Sequence, residues 1–133
     1  MLQRRVGAAG MLVLAAGLAL AAPAPWTVPA EKLKGLKNPA TGALRAASEQ
    51  RGAVLYKEHC QGCHGVTGKG DGEDAAYYDH VPSNLTLASV AAQSDAELFV
   101  KITEGRTDMV SYAKKLDVTQ RWDVVNQVRT LKR

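Results

Sequence analysis

Five consecutive residues, Cys60-Gln61-Gly62-Cys63-His64, constrain this chain more than any other feature of its 133 residues. They contain both of its cysteines, so a scaffold held by several disulfides is excluded. A zinc site would need a second cysteine pair, and a disulfide across two residues would restrict the unfolded chain very little. A thioredoxin-like thiol pair would need a βαβ context, which the sequence does not show.

The motif has the Cys-x-x-Cys-His spacing through which c-type haem is attached. Two thiols three residues apart can each form a thioether with one vinyl group of the same porphyrin. The next residue, His64, then brings an imidazole nitrogen beneath the iron. The sequence therefore predicts one covalent haem c, with His64 as an axial iron ligand.

A second axial ligand is expected from the rest of the chain. Met109 is the single methionine after residue 24 and lies in a short polar loop, where a core-filling role is less expected. Methionine opposite histidine is the ligand set of electron-transfer cytochromes, so Met109 is the predicted sixth ligand. His80 is the rival candidate, while His59 is too close to Cys60 to reach the other face of the ring.

The first 24 residues have the pattern of a secretory signal peptide. Arg4 and Arg5 precede an uncharged run, 6–22, and small residues follow at cleavage spacing. The run is short for a membrane span, so an uncleaved N-terminal anchor is the alternative. Both interpretations predict an exported, periplasmic domain, free or anchored to the outer face of the cytoplasmic membrane.

Three prolines between residues 25 and 47 predict an extended N-terminal arm. Its lysines, Lys32, Lys34 and Lys37, form either a solvated cluster or a docking contact for a redox partner. Trp26 is expected to attach the arm to the domain that follows, residues 48–133.

That domain is predicted to be all-α, since no segment alternates long enough to form a strand. The first helix is expected over about 48–61, with Val54, Leu55 and Tyr56 on its apolar face. Glycines then indicate a loop over 62–72. Capping pairs predict two more helices, one starting at Ser94 with Glu97 and ending at Gly105, the other starting at Asp117 with Gln120.

With these residues in view, positions 26–132 resemble a class I cytochrome c of the small exported bacterial type. The shared residues are Gly52, Tyr56, the motif itself, a Gly-Lys-Gly-Asp-Gly loop at 68–72, and Pro82 to Leu85. The resemblance implies three main helices and loops wrapped around one covalent haem, with Gly52 packed against the C-terminal helix.

The resemblance also assigns individual roles near the haem. It implies that Tyr56 packs beside the haem, that the Pro82 carbonyl accepts a hydrogen bond from His64, and that Leu85 lies against the haem face. Two further aromatic residues match the family pattern, Tyr112 and Trp122.

Two positions depart from the pattern. Val110 follows Met109 where the family often has proline, and Gln127 stands where an aromatic commonly packs over the first helix.

Ligands on both faces of the iron leave no open position for a substrate, so the sequence predicts an electron-transfer protein and not an enzyme. The expected partners are redox proteins, namely a dehydrogenase, a quinol-oxidising complex or a terminal oxidase. The formal net charge of +4 includes Arg4 and Arg5 of the leader and forms no block, so no nucleic-acid partner is predicted. A monomer is expected. A membrane-anchored or complex-bound cytochrome subunit is the alternative, and a haem-free thiol–disulfide oxidoreductase stays open.

Overall fold

The computed structural model describes residues 25–131, and the predicted leader lies outside them. Six α-helices follow one another: α1 Ala30–Leu33, α2 Arg45–His59, α3 Gln61–His64, α4 Ala88–Ala91, α5 Asp95–Glu104 and α6 Val118–Thr130. Single turns of 3₁₀ helix lie at Gly42–Leu44 and Ala75–Tyr77. Residues 25–131 contain no strand, only an isolated bridge between Arg106 and Met109. The predicted all-α fold with three main helices, α2, α5 and α6, is confirmed.

Capping side chains set the starts of α5 and α6, as the sequence predicts. The Ser94 hydroxyl accepts from the Glu97 amide, and the Glu97 carboxylate accepts in return from the Ser94 amide. Asp117 and Gln120 form the same reciprocal pair before α6. Helix α5 ends at Gly105, whose φ of +66° favours a residue without a side chain.

Helices α2 and α6 form the main interhelical contact, and α2 buries a different face from the predicted one. Its buried residues are Ser48, Gly52 and Tyr56, at four-residue spacing. Val54 is 66% exposed, so its predicted place on the apolar face is wrong. A Cβ on Gly52 would lie 2.0 Å from the Asp123 carbonyl oxygen, so only glycine permits this close approach.

Polar side chains connect α2 to α6 where the family commonly has an aromatic. Asp123 is buried; Ser48 Oγ donates to it over 2.5 Å, and the Arg51 guanidinium donates twice, over 2.7 and 2.8 Å. Asn126, also buried, donates to Ser48 Oγ over 2.8 Å. Each of these buried polar groups has a hydrogen-bond partner at the contact, so none of them is left unpaired. The contact between α2 and α6 is thus built differently from the family pattern, as the departure at Gln127 suggests.

Apolar side chains of α5 and α6 form the core beside this polar contact. Phe99 and Trp122 stack with ring centroids 4.1 Å apart and an interplanar angle of 21°. The cluster of buried residues contains Leu98, Phe99, Ile102, Tyr112, Leu116, Trp122, Val124, Val125 and Val128. This cluster presents the apolar surface on which the candidate site is built.

Residues 25–47 hold two short helical turns and lie against α5 and α6, where the sequence predicts an extended arm. Lys32 donates to both carboxylate oxygens of Glu104, over 2.8 and 2.9 Å. Asn38 donates to Asp95 and to Asn126, over 2.8 and 2.7 Å. Trp26 lies beneath two cations, with Lys101 Nζ 5.3 Å from its ring centroid.

Among residues 25–131, no helix is long and apolar enough to span a membrane.

Candidate haem site

The Cys-x-x-Cys-His motif forms a single helical turn that continues from the end of α2. The Cys60 amide donates to the Tyr56 carbonyl over 2.8 Å, and the His64 amide donates to the Cys60 carbonyl over 2.9 Å. Cys60 and Cys63 are both free thiols and both half-buried. The two sulfur atoms therefore lie on one helical turn, with the imidazole on the next residue.

Burial keeps both thiols protonated. It raises the pKa of Cys60 to about 12, with a further contribution from Cys63, and it raises the pKa of Cys63, to which Asp74 also contributes. Thiol–disulfide exchange needs the opposite, a lowered pKa that supplies thiolate near neutral pH. The described part of the chain also has no group of three or more His, Cys, Asp or Glu side chains placed to bind a metal ion. Of these two properties, only the raised pKa values of the thiols bear on the thiol–disulfide alternative, and they disfavour it.

The His64 imidazole has one nitrogen engaged and the other available for iron. Nδ1 lies 3.0 Å from the Ser83 carbonyl oxygen, and a carbonyl can only accept, so Nδ1 carries the proton and Nε2 the lone pair. Burial lowers the pKa of His64, although the Ser83 hydrogen bond opposes this shift. A neutral imidazole fixed by its other nitrogen is the form in which histidine ligates metals.

The acceptor for His64 is Ser83 and not Pro82, the residue that the family resemblance implies. The Pro82 carbonyl lies instead against Gly70, where an added Cβ would come within 2.2 Å of its oxygen. The Pro82 carbonyl therefore faces the glycine loop, and the Ser83 carbonyl contacts the imidazole. Which carbonyl of the segment reaches His64 therefore depends on how the glycine loop packs against it.

Two buried tyrosines hold the backbone on either side of the motif. Tyr56 donates its hydroxyl to the Gly65 carbonyl over 2.8 Å, and Tyr112 donates to the His59 carbonyl over 2.5 Å. Burial raises the pKa of both phenols, that of Tyr112 to about 12. Both side chains therefore stay neutral donors, and they fix the positions from which Cys60 and His64 project.

Met109 closes a tight turn after α5. The amide of Arg106 donates to the Met109 carbonyl and the amide of Met109 to the Arg106 carbonyl, each over 2.9 Å. Thr107 in the turn has a φ of +51°, in the left-handed region. Downstream, the Tyr112 amide donates to the Ile102 carbonyl over 3.2 Å, which returns the chain to α5.

Three of the predicted site residues, far apart in sequence, each pack against the hydrophobic core. Cys60, Leu85 and Met109 are each partly buried and pack against the same cluster of buried side chains. Tyr112 and Trp122 belong to that cluster, and Trp122 is occupied by its stack on Phe99. A thiol, an aliphatic side chain and a thioether thus each pack against one apolar cluster, together with other partly buried side chains, and this donor set fits a covalent haem.

His80, the rival ligand, is engaged elsewhere. Its side chain is 66% exposed, and its Nδ1 lies 2.9 Å from Asp108 Oδ2. The backbone amide of His80 also donates to that oxygen, over 3.1 Å. Sequence reasoning missed Ser83 and Asp108; the one available signal was that Asp108 directly precedes Met109.

Comparison with known proteins gives one family match. A family described as "Cytochrome C oxidase, cbb3-type, subunit III" matches residues 47–126. No curated protein matches the chain by sequence.

Two solved structures are similar over most of the described residues. One belongs to the Kuenenia stuttgartiensis reducing HAO-like protein complex Kustc0457/Kustc0458, with a TM-score of 0.64 and 28% identity over 74% of this chain. The match spans 48% of that chain, about half its length. The other is the KustC0563 c-type cytochrome, with a TM-score of 0.53 and 30% identity over 62% of this chain and 98% of that one.

Proposed function

Because the chain belongs to the family described as cytochrome c oxidase, cbb3-type, subunit III, and is a monohaem c-type cytochrome, we propose that it is a periplasmic shuttle that carries single electrons between redox partners. One haem c would be held by thioethers to Cys60 and Cys63, with His64 and Met109 as the axial ligands. The observation that supports this proposal is that Cys60, Leu85 and Met109 each pack against the same apolar cluster. The hydrogen bond between His64 Nδ1 and Ser83 supports it further, because it leaves Nε2 for iron.

The haem iron, when bound, supplies reversible one-electron chemistry between its ferric and ferrous states. The residues around the haem would keep the structural change between these two states small. Tyr56 and Tyr112 fix the backbone on both sides of the motif, and Ser83 fixes the imidazole. The Met109 thioether is neutral and held against an apolar core, which favours the less charged, ferrous state.

We propose a carrier and not an enzyme, because His64 and Met109 would occupy both axial positions. The partners would be a dehydrogenase, a quinol-oxidising complex or a terminal oxidase, docked over a small interface. The family description supports a partner in respiration, since it names an oxidase subunit. The predicted leader, residues 1–24, supports export, and a monomer suits transient docking.

A subunit held in a larger oxidoreductase, or anchored by the leader, is the second candidate. Two observations favour it: the family description is that of an oxidase subunit, and one similar structure comes from a two-component complex. Native purification from periplasmic and membrane fractions separates the candidates. A monomeric periplasmic protein that has lost residues 1–24 supports the shuttle. Membrane retention with an intact leader, or a stable complex, supports the subunit.

The haem and its ligands are tested on the purified protein. A pyridine haemochrome assay is expected to give a covalent c-type spectrum with one haem per chain. Met109→Ala should abolish the weak near-infrared charge-transfer band of the ferric protein, because that band reports an iron–thioether bond. Val110→Ala, one residue along and 45% exposed, is the matched control and should keep the band. Persistence of the band in Met109→Ala would refute the ligand assignment.

A further inference from the structure

One short segment, 80–83, contacts both chain regions that carry the proposed axial ligands. At one end, the Ser83 carbonyl lies 3.0 Å from Nδ1 of His64. At the other end, His80 contacts Asp108 Oδ2 through its backbone amide, over 3.1 Å, and through Nδ1, over 2.9 Å. Asp108 directly precedes Met109. Only two residues, 81 and 82, therefore lie between the residue that contacts His64 and the residue that contacts the neighbour of Met109.

The Ser83 end of this segment is firmly held. Gly70 lies so close to the Pro82 carbonyl that no side chain fits between them. The Leu85 amide donates to the Gly68 carbonyl over 2.6 Å. Asn84 Oδ1 accepts from both the amide and the hydroxyl of Thr86, over 2.9 and 2.7 Å, which fixes the turn. His80 thus extends from a braced loop.

The Met109 turn is held from within by a backbone pair between Arg106 and Met109 and by the close approach of Gly105 to the Met109 carbonyl. A valine follows Met109 where a proline would restrict the chain further. Thr107 adopts a left-handed conformation, which costs free energy for a β-branched residue. A contact from outside the turn is therefore able to change how firmly Met109 is placed.

We propose that His80 and Asp108 are positioning residues that hold the Met109 turn in register with His64, by way of the segment 80–83. They limit the replacement of the Met109 sulfur by an external ligand. Neither residue touches the iron. This inference rests on the proposed ligation by Met109 and adds residues that act through it.

Imidazole binding to the ferric holoprotein tests the inference, because imidazole must displace Met109 and its binding bleaches the near-infrared band. Asp108→Ala removes both contacts and is expected to tighten apparent imidazole binding by roughly threefold to tenfold, as for two hydrogen bonds at an exposed position. His80→Ala keeps the backbone contact and should give a smaller gain. Asp108→Asn keeps an acceptor oxygen and should stay near wild type.

Glu31→Ala is the matched control, since Glu31 is an exposed carboxylate with no hydrogen bond among residues 25–131. It should bind imidazole as wild type does. If Asp108→Ala does not fold, His80→Ala is compared with Asp108→Asn: tighter imidazole binding in the first and wild-type binding in the second support the inference, and equal binding in both contradicts it.

Three outcomes would overturn the inference. Unchanged imidazole affinity in Asp108→Ala, with the wild-type band present, removes the positioning role and leaves Met109 ligation intact. A double His80→Ala/Asp108→Ala variant that returns to wild-type affinity shows that a released His80, and not a loosened turn, caused the effect. A wild-type protein without the band refutes Met109 ligation and, with it, the positioning role.

Discussion

Substitution of Gly52 by alanine gives a prediction in which two physical effects oppose each other. Helix propensity favours alanine over glycine by about 1 kcal/mol in the middle of a helix. Packing opposes it, since the new Cβ would lie 2.0 Å from the Asp123 carbonyl oxygen, 2.7 Å from its carbonyl carbon and 2.9 Å from Gln127 Cβ. The first two of these atoms belong to the backbone of α6, which no rotamer change can move.

The magnitude follows from the displacement that the side chain requires. Real Cβ contacts essentially never fall below 3.0 Å, so α2 and α6 must separate by about 1 Å at this point. Overpacking of this kind typically costs 1–3 kcal/mol, and backbone atoms place this case at the upper end. The separation also strains the hydrogen bonds from Ser48 and Arg51 to Asp123. After the propensity gain is subtracted, Gly52→Ala should lower the free energy of unfolding by about 2 kcal/mol.

Urea unfolding of the holoprotein, followed by far-ultraviolet circular dichroism, measures this change. Ala53→Gly is the matched control, because Ala53 is the next residue of α2 and is exposed. It should cost about 1 kcal/mol through propensity alone. If Gly52→Ala is as stable as wild type or more stable, propensity dominates and the close approach of α2 to α6 is not a real constraint.

Three further substitutions test the helix contacts and the caps. Asp123→Ala should lower the free energy of unfolding by about 2–3 kcal/mol, because Ser48 loses its buried carboxylate acceptor. A variant as stable as wild type in thermal and urea unfolding would refute this role. Tyr56→Phe should cost about 1 kcal/mol through loss of its buried hydroxyl contact, measured in the same way, and no loss would contradict it. Ser94→Ala should cost about 1 kcal/mol at neutral pH. Hydrogen bonds from the Ser94 amide and, second, from its hydroxyl lower the pKa of Glu97. Alanine removes only the hydroxyl bond, so this part of the cost is complete above the unfolded-state pKa of Glu97 and is lost as the pH falls through the lower folded-state value. The cost of Ser94→Ala measured by urea unfolding at a pH of about 3 should therefore be smaller, and an equal cost at both pH values would exclude the capping carboxylate as its source.

The sequence predicted best where a local pattern carries its own physical cause. The reciprocal caps of α5 and α6 are confirmed at Ser94 and Asp117, because a capping pair is satisfied within four residues. The motif turn, 60–64, is likewise local. For α2 the apolar pattern predicted the wrong buried face. The buried residues are a serine, a glycine and a tyrosine, which hydrophobic periodicity does not identify.

The network around Asp123 and Asn126 could not be read from the sequence. A buried carboxylate and a buried amide on α6 are indistinguishable from exposed ones until the donors that satisfy them are known. Those donors come from distant positions, Ser48 and Arg51 on α2 and Asn38 before it. Their meeting depends on the close approach that Gly52 permits.

The sequence by itself predicted the chemistry that we propose for this protein, since two thiols and an imidazole at fixed spacing within one helical turn need no tertiary contact to match a haem attachment motif. It also determined the helical class, through caps that act locally. Only the tertiary structure decided which carbonyl orients His64, because a shift of one residue from Pro82 to Ser83 depends on how the glycine loop packs against that segment. It alone also placed His80 on Asp108 beside Met109, a pairing of an exposed and a half-buried side chain 28 residues apart that no local pattern encodes.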